Sequence, residues 1–186
     1  SIAQGIEQLL VPDGVFVFEV SYLVDVFEDV LFDTIYHEHM AYHAVGPLQT
    51  FFKRAGLELF AASRIPSHGG SLRGFVQRAG GPRQADGSVD DLLALERGLK
   101  LDSSDTLKDF GARIDRLGKT FNDVLQGLVA EGKTIAGYGA PAKATTLLYH
   151  FGIAPGVLEF IVDDSPLKQG LYTPGLHIPV VSSDVL

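Results

Sequence analysis

Residues 133–186 carry the pattern that most restricts the fold: an apolar strand, a glycine loop, a helix and a second apolar strand, in that order. Thr134 to Tyr138 reads as the first strand and Gly139-Ala140-Pro141 as a tight loop. Lys143 to Phe151 reads as a helix stopped at Gly152, and Leu158 to Val162 as the second strand, ending in Asp163-Asp164. His177 to Val181 supplies a third strand. Strands joined through a helix lie parallel, and a right-handed crossover makes this unit half of a doubly wound, Rossmann-like α/β sheet.

The first 80 residues also alternate strands and helices. Ile6, Leu9 and Leu10 mark one apolar helix face, closed by the turn Val11-Pro12-Asp13-Gly14. Val15 to Val20 is a nearly unbroken apolar run, the pattern of a strand buried on both faces of a parallel sheet. Pro47 suits the first turn of a helix with Leu48, Phe51 and Phe52 on its inner side, and Gly56 suits its end. Leu57–Ile65 and Ser71–Gln77 then read as strands joined by Pro66-Ser67-His68-Gly69-Gly70.

The stretch Ala79 to Gly87, rich in Gly, Pro and Arg, is the best linker. Val89, Leu92, Leu93 and Leu95 suggest a short helix, and Ser104 caps a much longer one. Leu107, Phe110, Ile114, Leu117, Phe121, Val124 and Leu128 recur at steps of three and four until Gly132. So regular a stripe reads as packing. The expected division is therefore 1–80, a linker with a short helix over 81–103, and a long helix with a Rossmann-like domain over 104–186.

Composition narrows the function. Apolar residues at 46% and charged residues at 20% give an ordinary globular balance. No apolar run approaches the roughly 20 residues of a membrane helix. The absence of cysteine rules out disulfides and thiolate metal sites in this chain and fits a reducing compartment. A net charge of -8 argues against nucleic-acid binding, which needs basic surface. The expectation is a cytoplasmic protein, off the membrane, with a small-molecule ligand.

Tyr36-His37-Glu38-His39 is the densest set of titratable groups, with His43 four residues on. Histidine titrates near neutrality and is the commonest catalytic base; a neighbouring Glu can fix its tautomer and a Tyr can stabilise an oxyanion. The competing reading is a solvated, hydrogen-bonded loop. A metal site is the other rival, because His39 and His43 would share a helix face. The His-Glu-x-x-His arrangement fails, however: Ala41 stands where its second His belongs, and Met40 follows His39. No metal is assigned.

Gly137-x-Gly139 with Ala142 in the third place begins a dinucleotide-type loop, and Lys143 puts a cation at a helix start. A cation opposes the helix dipole there, so a bound anion would offset its cost. A plain tight turn is the alternative. Asp163 or Asp164 could bond a sugar hydroxyl or simply open a solvated turn.

Four blocks bring a resemblance. Phe32-Asp33-Thr34-Ile35-Tyr36-His37-Glu38-His39 resembles the signature of the sugar C-methyltransferases, which act on dTDP-linked keto-sugars. Ser67-His68-Gly69-Gly70-Ser71-Leu72-Arg73 is similar to their Thr-His-Gly-Gly-Ser-Leu-Arg segment, with Ser67 in place of Thr. Gly137-Tyr138-Gly139-Ala140-Pro141-Ala142-Lys143 resembles the opening loop of their C-terminal domain. Lys168-Gln169-Gly170 with Pro174-Gly175-Leu176-His177-Ile178-Pro179 resembles its closing segment. The blocks fall in family order.

The resemblance implies the C-terminal part of a class I methyltransferase sheet, followed by a second Rossmann-like α/β domain. Val15–Val20 would be the fifth of seven strands and residues 57–77 the last two. It implies S-adenosylmethionine as methyl donor and a dTDP-linked keto-deoxysugar as substrate. His39 would be the general base and Tyr36 would orient or polarise the sugar, with His37 and Glu38 in support. Gly137, Tyr138, Gly139 and Lys143 would lie near the diphosphate or nucleoside, and His68 would approach the same pocket or serve only as a turn residue.

The donor-binding loop and a cysteine-rich zinc segment would belong to sequence preceding this chain. The isolated chain is then expected not to bind the donor. The open sheet edge would be covered by a second copy, giving a homodimer, or by a rearranged helix. Two other readings stand beside this one: a non-catalytic nucleotide-sugar-binding module, and a fragment of an NAD-dependent oxidoreductase suggested by the Gly137 loop and Asp163.

Overall fold

A computed structural model describes all residues from Ser1 to Leu186, which divide into two compact units, 1–31 with 41–110 and 32–40 with 111–186. The division falls inside the long helix, and the stretch 79–87 lies within the first unit.

The first unit opens with α1 (Ile2–Leu9), whose N-terminus is closed by a reciprocal capping box between Ser1 and Gln4. Ala3, Ile6 and Leu10 join the core while Leu9 is exposed, so the inner face of α1 is not the one that Leu9 suggested. Next come β1 (Phe16–Ser21), α2 (Leu23–Glu28), α3 (Val45–Lys53), β2 (Leu57–Ile65), β3 (Ser71–Arg78) and α4 (Ser88–Leu99). The sheet order is β1-β3-β2, and β3 runs antiparallel to both neighbours.

This corrects the expected two-faced parallel strand. Within this chain the ladder partner of β1 is the antiparallel β3, and Phe16, Phe18 and Val20 point to the packed side. Val17 is half exposed on the other face, the alternation usual in an antiparallel pairing. The rings of Phe16 and Phe18 pack at a tilt against Phe52 of α3, and α3 and α4 both pack on β2. Pro47 lies in the first turn of α3, as its fixed φ favours.

α4 contributes more than apolar packing. Glu96 is buried, and its Oε1 accepts from the Tyr22 hydroxyl at 3.0 Å and from the Val45 N–H at 2.6 Å. Its Oε2 accepts from the Gly46 N–H at 3.1 Å. A carboxylate from α4 thus satisfies donors that the first turn of α3 leaves orphaned.

The second unit contains most of α5 (Ser104–Ala130), then β4 (Ala136–Tyr138), α6 (Ala142–His150), β5 (Phe160–Val162) and β6 (Val180–Val181). β4, β5 and β6 form a parallel sheet in that order, with α6 as the connection between the first two. Both the helix and the third short strand follow the sequence reading. The α5 stripe does so only in part: Ile114 is buried, whereas Leu107, Leu117, Phe121, Val124 and Leu128 remain exposed to a third or more. Gly118 is where α5 meets Phe151.

Together the units make a mixed α/β chain with two small sheets. No helix is long and apolar enough to cross a membrane.

Candidate functional site

The signature segment 32–40 belongs to the second unit. Phe32 anchors it, with its ring 4.9 Å from that of Phe151 and 5.2 Å from that of His150, at the C-terminal end of α6. From there the segment runs back along the helix. The Ile35 carbonyl accepts from the Thr146 hydroxyl at 3.3 Å, and Asp33 lies 3.5 Å from the ammonium of Lys143. Lys143, Thr146 and His150 are spaced by three and four residues, so one face of α6 carries all these contacts.

Tyr36 to His39 then closes a tight turn in which the His39 N–H donates to the Tyr36 carbonyl at 3.0 Å. The Tyr36 hydroxyl donates to Glu38 at 3.1 Å, and the Tyr36 and His39 rings lie 4.9 Å apart. His39 and Tyr36 are half-buried; His37 and Glu38 are exposed. No helix runs from His39 to His43, so the shared helix face that a metal reading required does not exist. His43 sits in the first unit, where it bridges Tyr22, and burial holds its imidazole below the ordinary histidine range.

The glycine loop leaves the C-terminal end of β4. Gly139 takes φ +88, a conformation glycine adopts at no cost, and its N–H reaches the Val162 carbonyl at 2.6 Å. Asp163, at the end of β5, is buried and fully engaged. Its Oδ2 accepts from the Ala140 N–H at 2.7 Å and from Lys168 at 2.9 Å, and its Oδ1 accepts from the Ser165 N–H at 2.9 Å. These donors hold its carboxyl down to about 2, the Ala140 N–H contributing most. Asp163 is thus a brace for the loop, which removes the support it lent to a dinucleotide reading. Asp164 accepts from the Tyr138 hydroxyl at 2.9 Å, which pushes that phenol above its usual value.

α6 begins after Pro141 with no side chain capping it, and of its first N–H groups that of Ala144 donates to the Pro141 carbonyl at 3.0 Å. Beside it lies a cavity of about 240 Å³, walled chiefly by Ala144, Thr145 and Leu148 of α6 and by Leu171, Tyr172 and Val180. These α6 residues occupy the face opposite Lys143, Thr146 and His150. No residue of 36–39 lines the cavity. The start of α6 is therefore the element that the signature segment and the cavity share, each on its own side.

His68 lies in the first unit, exposed, at φ +53 in the turn between β2 and β3. Ser67 beside it donates to Glu19 at 2.6 Å, and Arg73 also pairs with Glu19 at 2.9 Å. Neither connection in the first sheet supplies a glycine-rich loop between a strand and a helix, since β1 passes directly into α2 and β2 returns as β3. S-adenosylmethionine is therefore not fitted to residues of this chain. Sequence reasoning missed Asp33 as the partner of Lys143, and Thr145, Leu148 and Tyr172 as cavity walls. The α6 residues were visible only once the helix had a phase.

Comparison with known proteins bears on the whole chain. Residues 66–186 match the family described as the C-methyltransferase C-terminal domain. The chain is also 37% identical over 183 residues to C-methyltransferase NovU of Streptomyces niveus, covering 98% of this chain. It spans 44% of that relative's length.

Proposed function

This chain belongs to the C-methyltransferase C-terminal domain family, and from that membership we propose that it is the substrate-handling part of an S-adenosylmethionine-dependent C-methyltransferase. Its substrate is a nucleotide-linked keto-deoxysugar of the dTDP type. Its diphosphate is held at the start of α6, where the helix dipole, uncapped by any side chain, and Lys143 favour negative charge. The sugar reaches the Tyr36–His39 turn.

There, His39 removes the proton on the carbon next to the keto group. A base is needed because carbon must carry an electron pair before it can accept an electrophilic methyl group. The electron pair moves onto the keto oxygen as an enolate, and the proton resides on the His39 imidazole. Tyr36 lies beside His39 as a hydrogen-bond donor for the developing oxyanion, and Glu38 holds the Tyr36 hydroxyl until substrate takes its place. The methyl donor supplies the carbon electrophile, and its binding residues are not assigned to this chain.

One observation carries this reading. The signature segment and the glycine-lysine helix sit in one compact unit and touch through Asp33–Lys143 and Ile35–Thr146. In the full-length enzyme His39→Ala should lower kcat by roughly two to four orders of magnitude with substrate binding kept. A loss below about threefold would remove His39 from the role of base.

A further inference from the structure

The apolar positions of α5 from Leu107 to Leu128 alternate steps of three and four residues without a break, the period of a coiled-coil seam. A helix that only lines its own domain follows the 3.6-residue turn, whereas a 3.5-residue period keeps its apolar line along a second helix. The second unit packs on a different face of α5. There Ile114, Gly118 and Leu125 are buried, Gly118 lies against the Phe151 ring, and Asn122 donates to the Phe151 carbonyl at 2.5 Å. At about 100° per residue, Leu117, Phe121, Val124 and Leu128 lie roughly a quarter turn from that face. Phe121 also reaches the Phe151 ring, yet all four are exposed.

The charges around this line are sorted. Asp115, Arg116, Lys119 and Asp123 fall on the opposite side of the helix, and the outer flank of the line carries only Thr120 and Gly127 between its ends. The two ends have opposite signs, with Arg113 before Leu117 and Glu131 after Leu128. A contiguous apolar line with no long polar side chain over it marks an interaction surface.

We propose that this face of α5 docks a second copy of the chain with the two helices antiparallel. Leu117 then packs opposite Leu128 of the partner subunit, and Phe121 opposite Val124 of the partner subunit. The line is complementary to itself on reversal, which is what a two-fold interface requires. Reversal sets the exposed residues against one another and brings Arg113 to Glu131 of the partner subunit at both ends. Parallel pairing would instead place like charge beside like charge. A guanidinium has five donors, so Arg113 can serve this acceptor together with any in its own chain. Four residues a side make a seam smaller than the roughly 1,200–2,000 Å² of a standard interface, so the dimer is weak and depends on concentration.

Sedimentation velocity on this chain reads the association. Wild type should pass from monomer to dimer between about 1 and 300 µM. Leu117→Lys and, separately, Val124→Glu place a charge in the seam at exposed positions, and each should raise the dissociation constant about tenfold or more. Circular dichroism establishes that each variant is folded. The chain has no cysteine, so single-cysteine variants report the direction of pairing. In the antiparallel dimer the two copies of residue 117 stand roughly 16 Å apart along the axis, too far for a disulfide. A mixture of Leu117→Cys and Leu128→Cys should therefore form the mixed disulfide on air oxidation, in several-fold excess over either variant linked to itself.

Association of Leu117→Lys and Val124→Glu at wild-type strength overturns the choice of surface. Leu117→Cys linking to itself in preference to Leu128→Cys overturns the antiparallel pairing. A wild type that stays monomeric up to about 300 µM overturns the proposal as a whole and leaves the line to a different occupant.

Discussion

Lys143 stands 3.5 Å from Asp33, so the cation at the start of α6 has a carboxylate of the chain itself beside it. Both groups are partly exposed, and such a pair contributes about 0–1 kcal/mol to stability. Its larger effect is on charge at the proposed diphosphate site. Asp33→Asn should strengthen pyrophosphate binding several-fold and Lys143→Ala should weaken it, with both differences shrinking as salt rises. Calorimetry at low and high ionic strength checks this. An Asp33→Asn protein that binds more weakly than wild type would show that Asp33 positions the ammonium rather than competing for it.

Asp163 gives a pH dependence. In the folded chain its carboxyl sits at about 2, and in the unfolded chain near about 4. The folded form binds the proton less readily, so the contribution is complete above about pH 4 and disappears as pH falls through about 2. Asp163→Asn should lower the thermal midpoint by several degrees near neutrality, and the gap to wild type should close on acidification. A gap that stays constant from pH 6 to 2 would mean that the carboxylate charge is irrelevant to the brace.

Two glycines of α5 should respond in opposite directions to alanine. At Gly127 a Cβ meets nothing within 4 Å, so Gly127→Ala should stabilise by roughly 0.5–1 kcal/mol through helix propensity. At Gly118 it would stand 2.6 Å from the Phe151 ring, and overpacking of about 1–3 kcal/mol outweighs the same gain. Denaturant unfolding of both variants separates these outcomes.

Glu96 gathers three donors in the first unit, from Tyr22, Val45 and Gly46. Glu96→Ala should cost about 2–4 kcal/mol, because it strands buried donors and opens a void. Tyr22→Phe leaves the two backbone bonds in place and should cost closer to 1 kcal/mol. Equal losses would mean that the phenol, not the α3 cap, dominates.

Legibility in the sequence followed the range over which each signal acts. The unit from β4 to β6 was readable because glycines, a short helix and β-branched runs determine it locally. The strand Val15–Val20 was read as parallel, whereas its partner within this chain, β3, runs antiparallel to it, a pairing that forms across 50 residues or more and leaves no local signal. α2 escaped notice because six residues are too few to show helical periodicity.

At the site, Tyr36, His39 and Lys143 stand out by residue type alone. The Lys143–Asp33 contact spans 110 positions in sequence, and only the coordinates bring the two together. The cavity walls are ordinary Ala, Thr and Leu, which carry no chemical signature until α6 acquires its neighbours. Asp163 could be read from sequence either as a hydroxyl ligand or as the opening of a turn, and its three donors in the folded chain, the Ser165 N–H among them, fit the second.

The most direct measurement follows hydrogen exchange at the sugar carbon in the full-length protein, in heavy water and without methyl donor. If the His39 imidazole abstracts that proton, wild type washes deuterium into the position next to the keto group of a dTDP-linked 4-keto-deoxysugar. His39→Gln should then slow the exchange about a hundredfold or more while binding the sugar with similar affinity. Exchange at the wild-type rate in His39→Gln would contradict the account, because some other group would then be generating the carbanion.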